Sequence, residues 1–366
     1  MTEFSSAVAI IRQAAADRAF PAAVVEVGRA HGVLWRHATG TLTYDPDAPP
    51  AREDTIFDLA SLTKVMATTT LVMRAVDQGR LALDAPIATH FPHWRGADRE
   101  RVTVRDLLCH SAGLTAYLPF FRDHTGRIEY ERAICTLPLE YAPRTRSLYS
   151  DLGFMLLGFL IEDTCAPSGS FRGDPSAWDP SAALAAQFRT LATCLTSEPL
   201  AFTPPRDWKT RTAPTEFDRW RGRLLVGEVH DENAWALGGA AGHAGLFGTA
   251  AAVGTFARAV LGTIAGRPIL AKTDTIREFI ARCDVPKSSR ALGWDTMLPT
   301  SSCGALLSPT SIGHTGFTGT SLWIDAEQDL YIVFLTNRVH PTRENEAIRA
   351  VRPRVHDAIV QTLQRR

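Results

Sequence analysis

Residues 57–69 read "FDLASLTKVMATT" and place a serine, Ser61, three positions before a lysine, Lys64. Lysine is rare in this chain. Of 39 basic residues only Lys64, Lys209, Lys272 and Lys287 are lysines, and the other 35 are arginines. An arginine would hold an ion pair at least as well, but its guanidinium stays protonated in a protein. A desolvated lysine can give up its proton near neutral pH, so position 64 is predicted to need a base. If Ser61 opens the helix that follows, Lys64 projects from the same side, because residues three apart are neighbours on a helix surface. Unpaired N–H groups and the positive field at a helix start would favour both an alkoxide and an uncharged lysine. Serine is a weak nucleophile until a base activates it. Taken alone, the spacing equally describes a surface lysine beside a capping serine.

Outward from this stretch, residues 62–79 carry a long helical pattern closed by Gly79. Residues 4–18 read as an amphipathic helix. "AAVVEVG" (22–28) and "GVLWRHATG" (32–40) are β-branched runs on either side of a turn and predict a hairpin. From about 86 to 244 the texture changes to short helical stretches such as "VRDLLCH" and "LGFMLLGFLIEDT" between loops rich in Pro, Gly and Asp. Residues 166–180, "APSGSFRGDPSAWDP", are the clearest loop. Helical signal resumes near 249–261, "SLWIDAEQDLYIVFLTN" predicts two strands around a turn, and "ENEAIRAVRPRVHDAIVQTL" a closing helix despite Pro353. The layout is strands, a helical region, then strands, with no internal repeat.

Two further segments carry chemistry. In "LYSDLGFMLLG" (148–158), Tyr149 and Asp151 precede an apolar helical run; an N-cap is the expected local role of Asp151. Tyr149 would then project from a loop, able to donate or accept a proton beside a nucleophile. In "IGHTGFTGTSLWID" (312–325), small residues around His314, Thr315 and Gly316 would let a substrate lie against a sheet edge, with backbone N–H groups free to bind an oxyanion. Each segment also has an ordinary reading, as a capped helix with a packed tyrosine and as a tight turn with a surface histidine.

In chain order these are S-x-x-K, Y-x-D and H-T-G. That order resembles the serine β-lactamase and penicillin-binding-protein superfamily, whose class A form carries S-x-x-K, S-D-N and K-T-G. The tyrosine of the middle motif is similar to the class C β-lactamases and related esterases and D-amino-acid peptidases. "LLCHSAGL" (107–114) and "GGAAGHAGLFGTAAAVGTFARAVL" (238–261) also resemble stretches of that superfamily, so the likeness spans nearly the whole chain. It implies an α+β, β-lactamase/transpeptidase-like fold. Residues 1–85 and 245–366 would form an α/β lobe on an antiparallel sheet flanked by helices, and residues 86–244 an all-helical lobe, with the active site between them. By the same resemblance Ser61 is the acylated nucleophile, Lys64 and Tyr149 share general-base and general-acid work, and Asp151 orients Lys64. The N–H groups of Ser61 and Phe317 make the oxyanion hole. His314 stands where the lactamases usually carry lysine; a neutral histidine still donates a hydrogen bond but attracts a carboxylate less, which tilts the expected substrate toward esters or peptides.

Other readings are bounded by composition. With 39 acidic against 39 basic residues and no basic run, nucleic acid is not an expected partner. The N-terminus lacks the form of a secretory signal and no stretch of 18 apolar residues occurs, which predicts a cytoplasmic protein that neither spans nor binds a membrane. Six cysteines, scattered without C-x-x-C, are expected to be reduced core residues. In "GEVHDENAWALGGAAGHAGLFG" (227–248), His230, Asp231, Glu232 and His243 could suggest a metal, but the spacing does not put a ligand set on one helix face. The resemblance sets this segment at the cleft rim, where His230 and Asp231 would touch substrate. His90 and His93 are expected to be loop residues beside Trp94. No cofactor is required, and the expected partner is a small molecule or short peptide. A catalytically silent binding or assembly protein of the same fold is the alternative. An α/β-hydrolase is set aside because no G-x-S-x-G occurs.

Overall fold

The β-branched run after α1 (Ser5–Ala16) forms the hairpin β1 (Ala22–Arg29) and β2 (Gly32–Gly40) in a computed structural model that describes residues 3–165 and 183–365. The next strand, β3 (Phe57–Asp58), leads into a π-helical turn at Lys64–Thr69 that continues as α2 (Thr70–Asp77). The run expected over 62–79 is thus one helix wound in two ways. It stops at Gly79, whose φ of 69° suits glycine.

Residues 86–244 carry α3 (Val104–Leu108), α4 (Gly126–Thr136), α5 (Asp151–Cys165) and α6 (Leu184–Leu195). The short strands β4 (Leu200–Phe202), β5 (Phe217–Asp218) and β6 (Arg223–Leu224) and the helix α7 (Glu232–Ala236) complete this stretch. Then come β7 (Leu246–Gly248), α8 (Ala250–Ile264), α9 (Thr273–Ile280), β8 (Asp295–Thr296), β9 (Ile312–Thr315), β10 (Ser321–Asp325), β11 (Leu330–Thr336) and α10 (Ile348–Gln364). The turn-rich stretch 166–180 lies outside the described residues.

Six strands form an antiparallel sheet in the order β2-β1-β11-β10-β9-β8. Side chains alternate across a strand, and the sheet is covered on both faces, so its central strands are mostly apolar on both sides. Val24, Val333, Leu335 and Leu322 face the larger core with α8, while Val25, Val27, Ile332 and Phe334 pack with α1 and α10. Glu26, wholly buried in β1, is held by Arg36, Arg258 and the Tyr331 hydroxyl. A buried carboxylate needs such partners. A separate small sheet, β3-β7-β4, carries the chain from β3 into the Ser61 turn.

One expectation fails here. Cys109, capping the C-terminal end of α3, and Cys283, after α9, form a disulfide across 174 residues of sequence. Spacing in sequence gives no sign of two elements that meet only in the fold, which is why the six cysteines read as reduced. Cys135 and Cys303 are buried free thiols as expected, and Cys194 is exposed.

Candidate active site

The turn into Ser61 is built by Asp58. Its buried carboxylate accepts the Ala60 N–H at 2.8 Å and the His230 N–H at 2.7 Å. Ala60 then takes a positive φ of 47°, uncommon for alanine, and turns Ser61 into the cavity. One turn on, the fully buried Lys64 ammonium donates to Ser61 Oγ at 3.0 Å and to the His243 carbonyl at 3.0 Å, and pairs with Asp151 Oδ1 at 2.7 Å. Three acceptors face three N–H bonds.

This corrects the predicted charge of Lys64. Burial does work against its proton, but the Asp151 carboxylate, with Tyr149, outweighs burial and raises the pKa above that of an ordinary lysine. At rest, position 64 is an ammonium. Tyr149 stays a phenol: burial pushes its pKa up, against the opposing pull of Lys64, and its hydroxyl interacts with both Lys64 and Ser61. The Lys64 nitrogen lies 4.9 Å from the Tyr149 ring centre.

Asp151 is not the helix cap either. It is the first residue of α5, and the Ser150 hydroxyl takes the capping position, accepting the Gly153 N–H at 3.4 Å. That frees the Asp151 carboxylate to turn toward Lys64.

The third segment arrives as β9 and the turn after it. Its register on β10 pairs His314 with Leu322 and Thr315 with Ser321. Gly316 is a requirement of close approach: a Cβ there would lie 2.7 Å from the Leu59 carbonyl oxygen, just before the Ser61 turn. The N–H groups of Ser61 and Phe317 make no hydrogen bond among the described residues. Both are open to an acceptor.

His314 is buried rather than on the surface. Its Nδ1 donates to the Thr315 carbonyl at 2.8 Å, and burial, with the Arg290 and Lys64 charges, holds its pKa well below 6.5. With the single proton on Nδ1, Nε2 is a lone pair. The neutral histidine expected to donate toward a substrate carboxylate therefore has no N–H left to offer.

Ser61, Tyr149, Asp151, Thr315, Gly316 and Phe317 line one cavity of about 610 Å³, and His230, Asp231 and His314 border it too. His230 is committed through its ring to Glu216 at 2.8 Å and stacks on Phe317. Asp231 caps α7 through the Ala234 N–H at 2.7 Å and binds His243 Nε2 at 2.8 Å. Burial opposes its charge, but His243 holds its carboxyl well below the usual range. The described residues contain no group of three or more His, Cys, Asp or Glu suited to a metal ion. Three participants escaped the sequence reading. Asp58 sits inside the opening stretch, where an aspartate two residues before a turn was a readable sign; the His243 carbonyl and Arg290 carried none.

The family model described as Beta-lactamase matches residues 7–168 and 184–355. A putative D-alanyl-D-alanine carboxypeptidase of Escherichia coli (strain K12) is 29% identical over 350 residues, covering 88% of this chain and 80% of that protein. One of Salmonella gallinarum is 30% identical over 318 residues, covering 81% and 73%. Among solved structures, the simvastatin synthase LovD from Aspergillus terreus superposes with a TM-score of 0.76 at 18% identity over 100% of both chains. EstCE1, a hydrolase with promiscuous acyltransferase activity, gives 0.74 at 20% identity over 98% of both. A class C beta lactamase from Rhodobacter sphaeroides gives 0.71 at 19% identity, covering 98% of this chain and 99% of that one. At these identities the structural likenesses speak for the fold: α+β, β-lactamase/transpeptidase-like. With the family model matched along most of its length, the chain belongs to the β-lactamase family of hydrolases.

Proposed function

We propose that the protein is a serine hydrolase of the class C β-lactamase-like kind that forms an acyl-enzyme on Ser61 and cleaves an ester or amide bond. The observation that carries the reading is the contact set itself. Ser61 Oγ meets Lys64 at 3.0 Å, Lys64 meets Asp151 at 2.7 Å, Tyr149 interacts with Ser61 and Lys64, and Ser61 and Phe317, whose N–H groups are unspent, border the same cavity.

Because Lys64 rests as an ammonium, the base must be made when substrate binds. A substrate that excludes water from the cavity favours the neutral form of the Lys64–Asp151 pair, with the proton on Asp151. Lys64 then takes the Ser61 proton as Oγ bonds to the substrate carbonyl carbon. The oxyanion is received by the Ser61 and Phe317 N–H groups. Collapse breaks the bond to the leaving group, which takes a proton from Tyr149, and Tyr149 recovers one from Lys64. Water repeats the sequence on the ester and restores Ser61. No step calls on a metal or organic cofactor.

The relatives named as D-alanyl-D-alanine carboxypeptidases and the fold neighbour named as a hydrolase with acyltransferase activity favour short peptides and esters as substrates. A neutral His314 at the position of the lactamase lysine argues for weak penicillin hydrolysis. The Cys109–Cys283 bond favours an oxidising compartment over the cytoplasm expected from the N-terminus. No helix among the described residues is long and apolar enough to cross a membrane.

The test is turnover of p-nitrophenyl butyrate, a D-alanyl amide and nitrocefin by the wild type and by Ser61→Ala. Hydrolysis of the ester or the amide that disappears in Ser61→Ala supports the reading. Turnover that survives the substitution defeats it, and filaments or large oligomers without turnover would favour the silent assembly protein instead.

A further inference from the structure

One peptide unit carries both the unspent Phe317 N–H and the Gly316 carbonyl. That carbonyl accepts Arg352 Nη2 at 3.1 Å, and the same nitrogen donates to the Thr320 carbonyl at 3.0 Å. On the other side of Phe317, its own carbonyl accepts Arg338 Nε at 2.7 Å, while the Arg338 guanidinium lies 4.4 Å from the centre of the Phe317 ring. Two arginines, one on α10 and one just after β11, thus hold the carbonyls that precede and follow this N–H. The turn is also tied to the backbone that leads into Ser61. The Thr318 hydroxyl donates to the Asp58 carbonyl at 2.7 Å and the Thr320 hydroxyl to the Leu59 carbonyl at 3.0 Å.

A neutral side chain could brace a turn as well. Both arginines are buried, and among the described residues each gives its hydrogen bonds to backbone carbonyls, with no carboxylate in ion-pair contact. Burial, with the charges of Arg338 and Arg349, lowers the Arg352 pKa to about 9, which still leaves a cation at pH 7. Placing a cation there without a carboxylate partner costs stability. What the charge adds is polarisation. A donor on an amide oxygen draws electron density through the C–N bond, so the N–H at the other end becomes a stronger donor; in such chains each bond strengthens its neighbour by about 10–30%. The N–H strengthened here is the one that receives the oxyanion in the reading above.

We propose that Arg352 is a positioning residue of the oxyanion hole, with Arg338 as its counterpart. Arg352 aims and polarises the Phe317 N–H through the Gly316 carbonyl, and Arg338 fixes Phe317 from the other side. Both act through Phe317 rather than on the reacting atoms. The inference rests on acyl transfer at Ser61. Its effect belongs to the transition state, when negative charge develops on oxygen, and is small for the neutral carbonyl of bound substrate. Lysine at position 352 would keep the charge without the planar fork.

The experiment follows acylation by p-nitrophenyl butyrate, which carries no net charge, by rapid mixing with the wild type, Ser61→Ala, Arg352→Met and Arg352→Lys. Arg352→Met should lower the maximal acylation rate about 10- to 100-fold, less than the loss of a whole oxyanion donor, while the half-saturating concentration changes by less than about twofold. Arg352→Lys should regain part of the rate. Arg338→Met should show the same split between rate and saturation, and it decides the matter if Arg352→Met does not fold. A folded Arg352→Met protein that acylates at the wild-type rate, one whose whole loss lies in the half-saturating concentration, or an Arg352→Lys protein as slow as Arg352→Met overturns the proposal and leaves Ser61 as nucleophile. Turnover that persists in Ser61→Ala overturns both.

Discussion

At the scale of single residues, the chain order of Ser61, Lys64 and Tyr149 was legible because each needs a particular side-chain chemistry. Their protonation was not. Lys64 reads as a future base in sequence, yet an ammonium paired at 2.7 Å with Asp151 is what the fold produces, because α5 begins beside it. Tyr149→Phe removes only the hydroxyl, so it should slow acylation by about 10²–10⁴-fold, the usual loss of a positioned proton donor, with little change in stability. Rapid-mixing kinetics with an ester would measure this. The histidines yield a second expectation. His110 and His314 are each driven by burial well below 6.5, with the charges of Arg290 and Lys64 adding to the effect. Both are already neutral at pH 7 and gain no further change on going to pH 8, so neither should contribute a step to kcat/KM near pH 6.5. A limb there that vanished in His314→Gln would contradict the assignment.

At the scale of elements, the strands and helices were readable from periodicity: the 22–40 hairpin, the 62–79 helix and the closing helix all formed. Long-range partners were not, since nothing local in Cys109 or Cys283 marks the meeting of α3 with the segment after α9. That bond closes a span of 174 residues and should add about 2–4 kcal/mol through the unfolded chain. Reduction should therefore lower the thermal midpoint, and Cys109→Ser with Cys283→Ser should reproduce the shift and become insensitive to reductant. An unchanged midpoint would show that the bond contributes nothing. Gly316 offers a sharper probe of how β9 is seated. In Gly316→Ala the new methyl must push against the Leu59 carbonyl, costing about 1–3 kcal/mol and moving the Phe317 N–H away from Ser61. Urea denaturation and ester turnover should fall together.

For the whole molecule, the sheet is covered on both faces, so its apolar central strands and the flanking helices could be anticipated from sequence. The ionic seam between the cavity rim and the C-terminal region could not. Glu216, on the strand-poor loop before β5, binds His230 and Arg343, residues far apart in sequence. Burial alone would raise its pKa, but these partners outweigh it and bring the value from 4.5 down to about 2. A carboxylate depressed in the folded state stabilises fully above its unfolded pKa and loses that contribution as pH falls through the folded one. Stability should decline from about pH 4.5 to about 2, and Glu216→Gln should flatten the urea midpoint across that window. An identical slope in the variant would assign the acid sensitivity elsewhere.

The most direct measurement is peptide mapping by mass spectrometry after treating the folded wild-type protein with a fluorophosphonate. The account predicts one adduct, on Ser61, formed much more slowly in Tyr149→Phe and absent in Ser61→Ala. An unmodified Ser61 under conditions that label a control hydrolase, or an adduct on another residue, would contradict it.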